Sequence, residues 1–166
     1  MADDVLPATG EVTVGVAAPP EVLWPLVSDP SVPARFSDEL VEAHFVDGKG
    51  ACVGAEIEGR NANGEFAWTT RSTVVDCEAP TLFRWATGGA DAPAATWSLE
   101  VARADGGATL THRVVLHAGR PPLGPAIEAE PERAREIVEA RMALVLANMQ
   151  RVVTGIAAAA EGADPG

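Results

Sequence analysis

The chain has 166 residues, enough for one domain with a sizeable core and too few for two of ordinary size. Its formal net charge of −12, from 24 acidic and 12 basic residues, repels nucleic acid and acidic membrane surfaces and favours solubility. Two cysteines, Cys52 and Cys77, do not make a disulfide framework and are read as free thiols in a reducing compartment.

No basic region followed by an apolar run opens the chain, so no signal peptide is expected. The Ala-rich C-terminal tail reads as too short and too interrupted to span a bilayer. A cytoplasmic protein is the expectation. Residues 1–10 are acidic, carry Pro7 and Gly10, and read as a loose lead-in. Glu11 to Ala17 alternates, with Val12, Val14 and Val16 on one face of a first strand. Pro19-Pro20 ends it and opens a short helix with Val22, Leu23, Leu26 and Val27 on its apolar side. Pro25 removes an interior helical bond, so that helix is expected to be short, kinked or broken. Asp29-Pro30 starts a second short helical segment toward Phe36.

Leu40 to Val46 is a second strand, followed by a turn at Asp47-Gly48 and Gly50. Cys52 to Arg60 reads as a third strand and Asn61 to Gly64 as the next turn. Glu65 to Val75 places Phe66, Trp68, Thr70, Ser72 and Val74 on one face of a fourth strand, and Thr69, Arg71 and Thr73 on the other. Thr81 to Thr87 is a fifth. Ala95, Trp97, Leu99 and Val101 line one face of a sixth. Asp105-Gly106-Gly107 is a hairpin turn, and Thr109 to His117 is the seventh strand, with Leu110, His112, Val114 and Leu116 on one side. Residues 118–130, rich in Gly and Pro, are expected to be an ordered linker or lid rather than an element.

Pro131 to about Ala160 is a long helix with Gly155 as its only internal glycine. Val138, Met142, Val145, Met149, Val152 and Ile156 recur at steps of four and three and draw one apolar stripe. Roughly 28 residues at 1.5 Å each span about 42 Å, enough to cross a curved sheet. Strands joined by short turns pair antiparallel. The expected architecture is therefore α+β: a single domain over residues 11–160, with a flexible tail at 161–166, in which one long helix covers a seven-stranded antiparallel sheet.

Several local runs carry a family resemblance. They are Ala18-Pro19-Pro20-Glu21-Val22-Leu23-Trp24, Ser28-Asp29-Pro30, Phe36, Val53-Gly54, Gly59-Arg60-Asn61, Phe66-Ala67-Trp68-Thr69-Thr70, Trp97, and Gly106-Gly107-Ala108-Thr109-Leu110-Thr111. With the element order, they resemble the START-like or Bet v 1-like (SRPBCC) superfamily, and within it the polyketide cyclase/dehydrase and lipid-transport family, over about residues 11–157. The resemblance implies a helix-grip fold: a curved sheet wrapped around the C-terminal helix, two short helices after the first strand, and a cavity between helix and sheet. Pro25 departs from the pattern. The resemblance implies no shared catalytic residue.

Trp68 and Trp97, with Phe66 and Leu99, lie on largely apolar strand faces, where they either pack a core or line a pocket for a flat apolar ligand. His112 sits among apolar neighbours as a satisfied buried histidine, a hydrogen-bonding contact or a base. Arg84 alternates with Leu82 and Ala86, opposite Phe83 and Trp85; pointing inward it would hold a carboxylate or enolate. Arg71 is expected to face water and pair with Glu56 or Glu58. On the long helix, Met142, Val145 and Met149 are candidate walls, and Asn148 is a candidate for orienting a ligand carbonyl. His44, His112 and His117 have no metal-ligand spacing, so no metal is expected, and no cofactor motif is present.

The first reading is a binder or carrier of a hydrophobic small molecule, lipid or aromatic and polyketide-like, acting as a monomer or homodimer without nucleic acid or integral membrane contact. The second is a polyketide cyclase, aromatase or dehydratase with His112 or Arg84 as weak catalytic candidates. The third is a non-catalytic interaction domain with a collapsed core.

Overall fold

The computed structural model describes residues 4–118 and 123–162. The valine alternation becomes β1 (Ala8–Val16), which starts at Ala8 rather than Glu11. Leu6 is buried, so the described part of the lead-in docks on the core. Pro20 occupies the first position of α1 (Pro20–Val27). Pro25 does not break it: the Ser28 amide still donates to the Trp24 carbonyl at 2.9 Å. The helix survives one missing bond because Leu23 and Val27, 0% and 1% exposed, both anchor it in the core. Fully burying one such side chain stabilises by roughly 1.5–3 kcal/mol. The second helical segment is a single 3-10 turn at Pro33–Arg35.

The remaining strands are β2 (Leu40–Phe45), β3 (Glu56–Asn63), β4 (Phe66–Glu78), β5 (Leu82–Thr87), β6 (Ala95–Ala104) and β7 (Gly107–Leu116). Relative to the sequence reading, β4 runs on to Glu78 and β7 covers Gly107–Leu116, and two further boundaries move for reasons visible in the structure. Cys52 to Ala55 is a turn, not strand: the Ala55 amide bonds the Cys52 carbonyl, and Gly54 has φ +91°. Asn61 continues β3, because its side chain, buried beside β4, donates to Thr70 Oγ1 at 3.4 Å. The hairpin turn is instead Gly64-Glu65, between the pair Asn63 and Phe66, and Gly64 supplies the positive φ (+62°) that a two-residue hairpin loop needs.

All seven strands form one antiparallel sheet in the order β1-β7-β6-β5-β4-β3-β2. The first two strands therefore lie on opposite edges, and α1 with its 3-10 turn carries the chain between them. The Gly- and Pro-rich stretch holds a helix that the sequence reading missed, α2 (Leu123–Ala129), with Leu123 and Ile127 buried. The expected linker's residues 119–122 lie outside the described residues, as do 163–166 of the expected tail. A 3-10 turn at Pro131–Arg133 leads into α3 (Ala134–Gly162).

Residues 131–162 are long enough to cross a membrane, and one 18-residue window within them has a mean hydropathy of 1.4. In this fold the helix instead buries Val138, Val145, Met149, Val152, Val153 and Ile156. It runs along β1 and more lightly along β7, and packs on α1 and α2. Two glycines permit that approach. A methyl on Gly10 of β1 would come within 2.9 Å of both Leu146 and Met142, and one on Gly155 would overlap the Phe36 ring. The core divides accordingly. One cluster joins α1, the second half of α3 and the strands; the other joins α2, the first half of α3 and the ends of β6 and β7.

Candidate ligand site on the concave face

Cross-strand register decides which side chains face the helix. Phe83, Leu99, His112 and Val12 are consecutive partners across β5, β6, β7 and β1, and Trp85, Trp97, Val114 and Gly10 form the next row. Gly10 lies under α3, so both rows belong to the concave face. The intervening row, Arg84, Ser98, Arg113 and Glu11, belongs to the convex face.

That placement removes Arg84 from the interior. Its guanidinium pairs with Asp76 on the neighbouring strand, on the side opposite Phe83 and Trp85. Strand alternation alone forces this once the two aromatics turn inward. The convex face continues as an ion-pair ladder, with Arg113 reaching Glu11 at 2.7 Å and Glu100 at 3.4 Å. Arg71 pairs with Glu56 at 3.2 Å and Glu58 at 3.3 Å, as its alternation predicted.

The concave face carries an unbroken aromatic track. Trp24 of α1 meets Phe83 edge-on at 6.5 Å between centroids, Phe83 meets Trp85 at 5.6 Å, and Trp85 meets His112 at 6.0 Å. Trp97, the cross-strand partner of Trp85, also approaches His112, at 5.9 Å. Phe83 and His112 are buried, whereas Trp24, Trp85 and Trp97 are half-buried. Trp85 was missing from the sequence-derived wall. Its signal was present in the alternation with Phe83, but one strand cannot say which of its faces is inward.

His112 is 4% exposed. Its Nδ1–H donates to the Ser98 carbonyl on β6 at 2.9 Å; a carbonyl only accepts, so the proton sits on Nδ1. Burial pushes its pKa down to about 4, outweighing the opposing pull of the Ser98 bond. The ring is therefore neutral at pH 7, with Nε2 as a bare acceptor.

The other candidates separate. Leu99, Val145 and Met149 are core residues, 0%, 4% and 2% exposed. Met142 is half-buried under β1 beside Gly10. Trp68 is half-buried on β4, while Phe66 at the hairpin tip is 79% exposed and lines no interior wall. Asn148 does not project freely: its Oδ1 accepts the Asp38 amide at 2.9 Å. It belongs to a clamp on the segment before β2. In that clamp Arg141 forks onto both Glu39 carboxylate oxygens at 2.9 and 2.7 Å, and Arg151 reaches Asp38 at 3.1 Å.

Two clefts open near β1. One of about 220 Å³ lies among Val5, Ala8, Arg135, Val138 and Met142; the other, about 340 Å³, borders Thr9, Gly10, Glu11 and Arg113. Neither includes Trp68, Trp97 or His112. Among the described residues no three His, Cys, Asp or Glu groups come together as metal ligands.

A seven-stranded curved sheet gripping a long C-terminal helix is the Bet v 1-like helix-grip fold, here with short helical links at both ends of the sheet. The family model described as polyketide cyclase / dehydrase and lipid transport matches residues 7–154, and the chain belongs to that family. No curated protein matches the sequence.

Solved structures share the fold. The Polyketide_cyc-like protein Cgl2372 of Corynebacterium glutamicum is 24% identical, with a TM-score of 0.61 over 89% of this chain and 88% of its own. The di-domain ARO/CYC StfQ from the steffimycin biosynthetic pathway is 14% identical, with a TM-score of 0.74 over 93% of this chain; the match takes up 50% of StfQ. Major latex-like protein 151 of Panax ginseng is 12% identical, with a TM-score of 0.61 over 90% of this chain and 96% of its own.

Proposed function

We propose that the protein binds or carries a hydrophobic, aromatic small molecule against the concave face, beside α3. The observation that carries this is the half-buried cross-strand pair Trp85 and Trp97, whose ring centroids lie 6.0 and 5.9 Å from that of the buried His112. Two indole faces present a flat apolar surface that favours stacking. The family, described by cyclisation, dehydration and lipid transport, supports a ligand of that character.

Turnover is the second reading, supported by the family description and by the ARO/CYC fold relatives. The side chains favour it less. Arg84 lies on the convex face, away from the aromatic track, and a histidine whose pKa lies near 4 is a weak base at pH 7.

Titration with a panel of bicyclic and tricyclic aromatics, read by tryptophan fluorescence, tests the binding reading. Saturable quenching is expected, and it weakens when Trp85 is replaced by Leu. An unchanged spectrum across the whole panel leaves the interaction-domain reading standing instead.

A further inference from the structure

The one interior imidazole is polarised in a single direction. Its Nδ1–H is committed to the Ser98 carbonyl of the adjacent strand. The two nitrogens of an imidazole point in nearly opposite directions, so the Nε2 lone pair points away from the β6 backbone. No described protein group donates to Nε2. Yet no fully buried side-chain nitrogen or oxygen among the described residues lacks a partner. The small residual surface of His112 therefore includes Nε2, on a ring whose centroid lies 6.0 Å from that of Trp85 and 5.9 Å from that of Trp97. Buried Asn61 and Ser72 find their partners elsewhere: Asn61 donates to Thr70, and the Ser72 and Thr87 hydroxyls share a bond at 2.8 Å.

We propose that His112 Nε2 is a specificity-determining acceptor, selecting aromatic ligands that carry a neutral hydroxyl donor of the phenol or enol class. This rests on the binding reading above and names its ligand chemistry. An acceptor in an apolar wall that loses its water is left unsatisfied by a hydrocarbon, an ether or a ketone. A carboxylate or phenolate would set its own lone pairs against Nε2. A neutral hydroxyl satisfies it without bringing in charge.

Naphthalene, 2-methoxynaphthalene and 2-naphthol share one ring system and differ in that donor. Removing the hydroxyl makes the probe more apolar, so burial alone ranks 2-naphthol last. The acceptor ranks it first, by about tenfold in Kd, the worth of one net hydrogen bond.

The experiment is a fluorescence titration of the full chain with all three probes at pH 7, in the wild type and in His112→Phe. Expected is tenfold tighter binding of 2-naphthol by the wild type and loss of that preference, with naphthalene still bound, in the variant. Equal or reversed ranking in the wild type overturns the proposal, as does a preference that persists in the variant. If the variant does not fold, the wild-type ranking of naphthol against its methyl ether decides alone. No saturable binding of any probe overturns both this proposal and the binding reading, whereas binding without ranking overturns this proposal only.

Discussion

Protonating His112 should destabilise this protein in a measurable, single-proton way. The ring is held neutral in the fold with a pKa of about 4, against 6.5 for the unperturbed group. The unfolded chain therefore binds more protons between those values, and stability rises with pH across that window. The contribution is fully present above pH 6.5, falls as the pH drops, and is gone below 4. Its limiting slope is about 1.4 kcal/mol per pH unit, and its total by pH 4 is about 3 kcal/mol.

Other groups also contribute to the pH dependence of stability, so the wild-type curve alone is ambiguous. His112→Phe removes the titrating ring and keeps an aromatic of similar size. It also deprives the Ser98 carbonyl of its donor, a deficit that does not depend on pH over this range. Urea unfolding of both proteins at half-unit steps from pH 7.5 to 4 isolates the histidine as the difference in slope. The wild type should lose about 3 kcal/mol more than the variant. Parallel curves would refute the argument, since they would mean that the ring is hydrated or already charged in the native state.

Gly155→Ala gains about 1 kcal/mol of helix propensity, yet it should destabilise by about 1–3 kcal/mol, because the added methyl overlaps the Phe36 ring. Combining it with Phe36→Ala should be strongly non-additive in thermal melts, and simple additivity would contradict the contact. Arg141→Met should destabilise by about 1–3 kcal/mol, because Glu39, with its side chain only 16% exposed, loses a bidentate partner. Arg60→Met, whose partner Glu42 is 58% exposed, should leave the urea midpoint unchanged. Gly10→Ala should be tolerated with a small loss in Tm, since the atoms it meets are the mobile ends of Leu146 and Met142.

Long-range alternation and helical periodicity made the architecture legible. The valines of β1 and the stripe on α3 each satisfy a single period over many residues, and tertiary packing had little to override. The helix α2 was hidden because Gly124 and Pro125 read as loop; its place depends on Leu123 and Ile127 finding the second core cluster. Asn61 read as a turn residue because its partner, Thr70, is supplied by the neighbouring strand. The same dependence explains the site. His112 stood out from one strand as a polar residue in an apolar row. Arg84 and Trp85 are adjacent in sequence, and only the register with β4 and β6 separates the outward cation from the inward indole.

The two nitrogens of His112 separate its possible roles. Nδ1 accounts for a structural role by itself, tying β7 to the Ser98 carbonyl at 2.9 Å. Such a tie does not need a second polar atom, and here the ring that carries it lies 6.0 Å from Trp85 and 5.9 Å from Trp97. An imidazole at this position lowers stability in acid, where a Phe would not. A purely structural interior gains nothing from Nε2 in return. A ligand hydroxyl would make use of it, and residues that lower stability while presenting an unused bonding group inside a fold are the ones whose replacement separates stability from binding. His112→Phe should therefore flatten the acid limb of the stability curve and erase hydroxyl selectivity together. A structural histidine would show the first effect without the second.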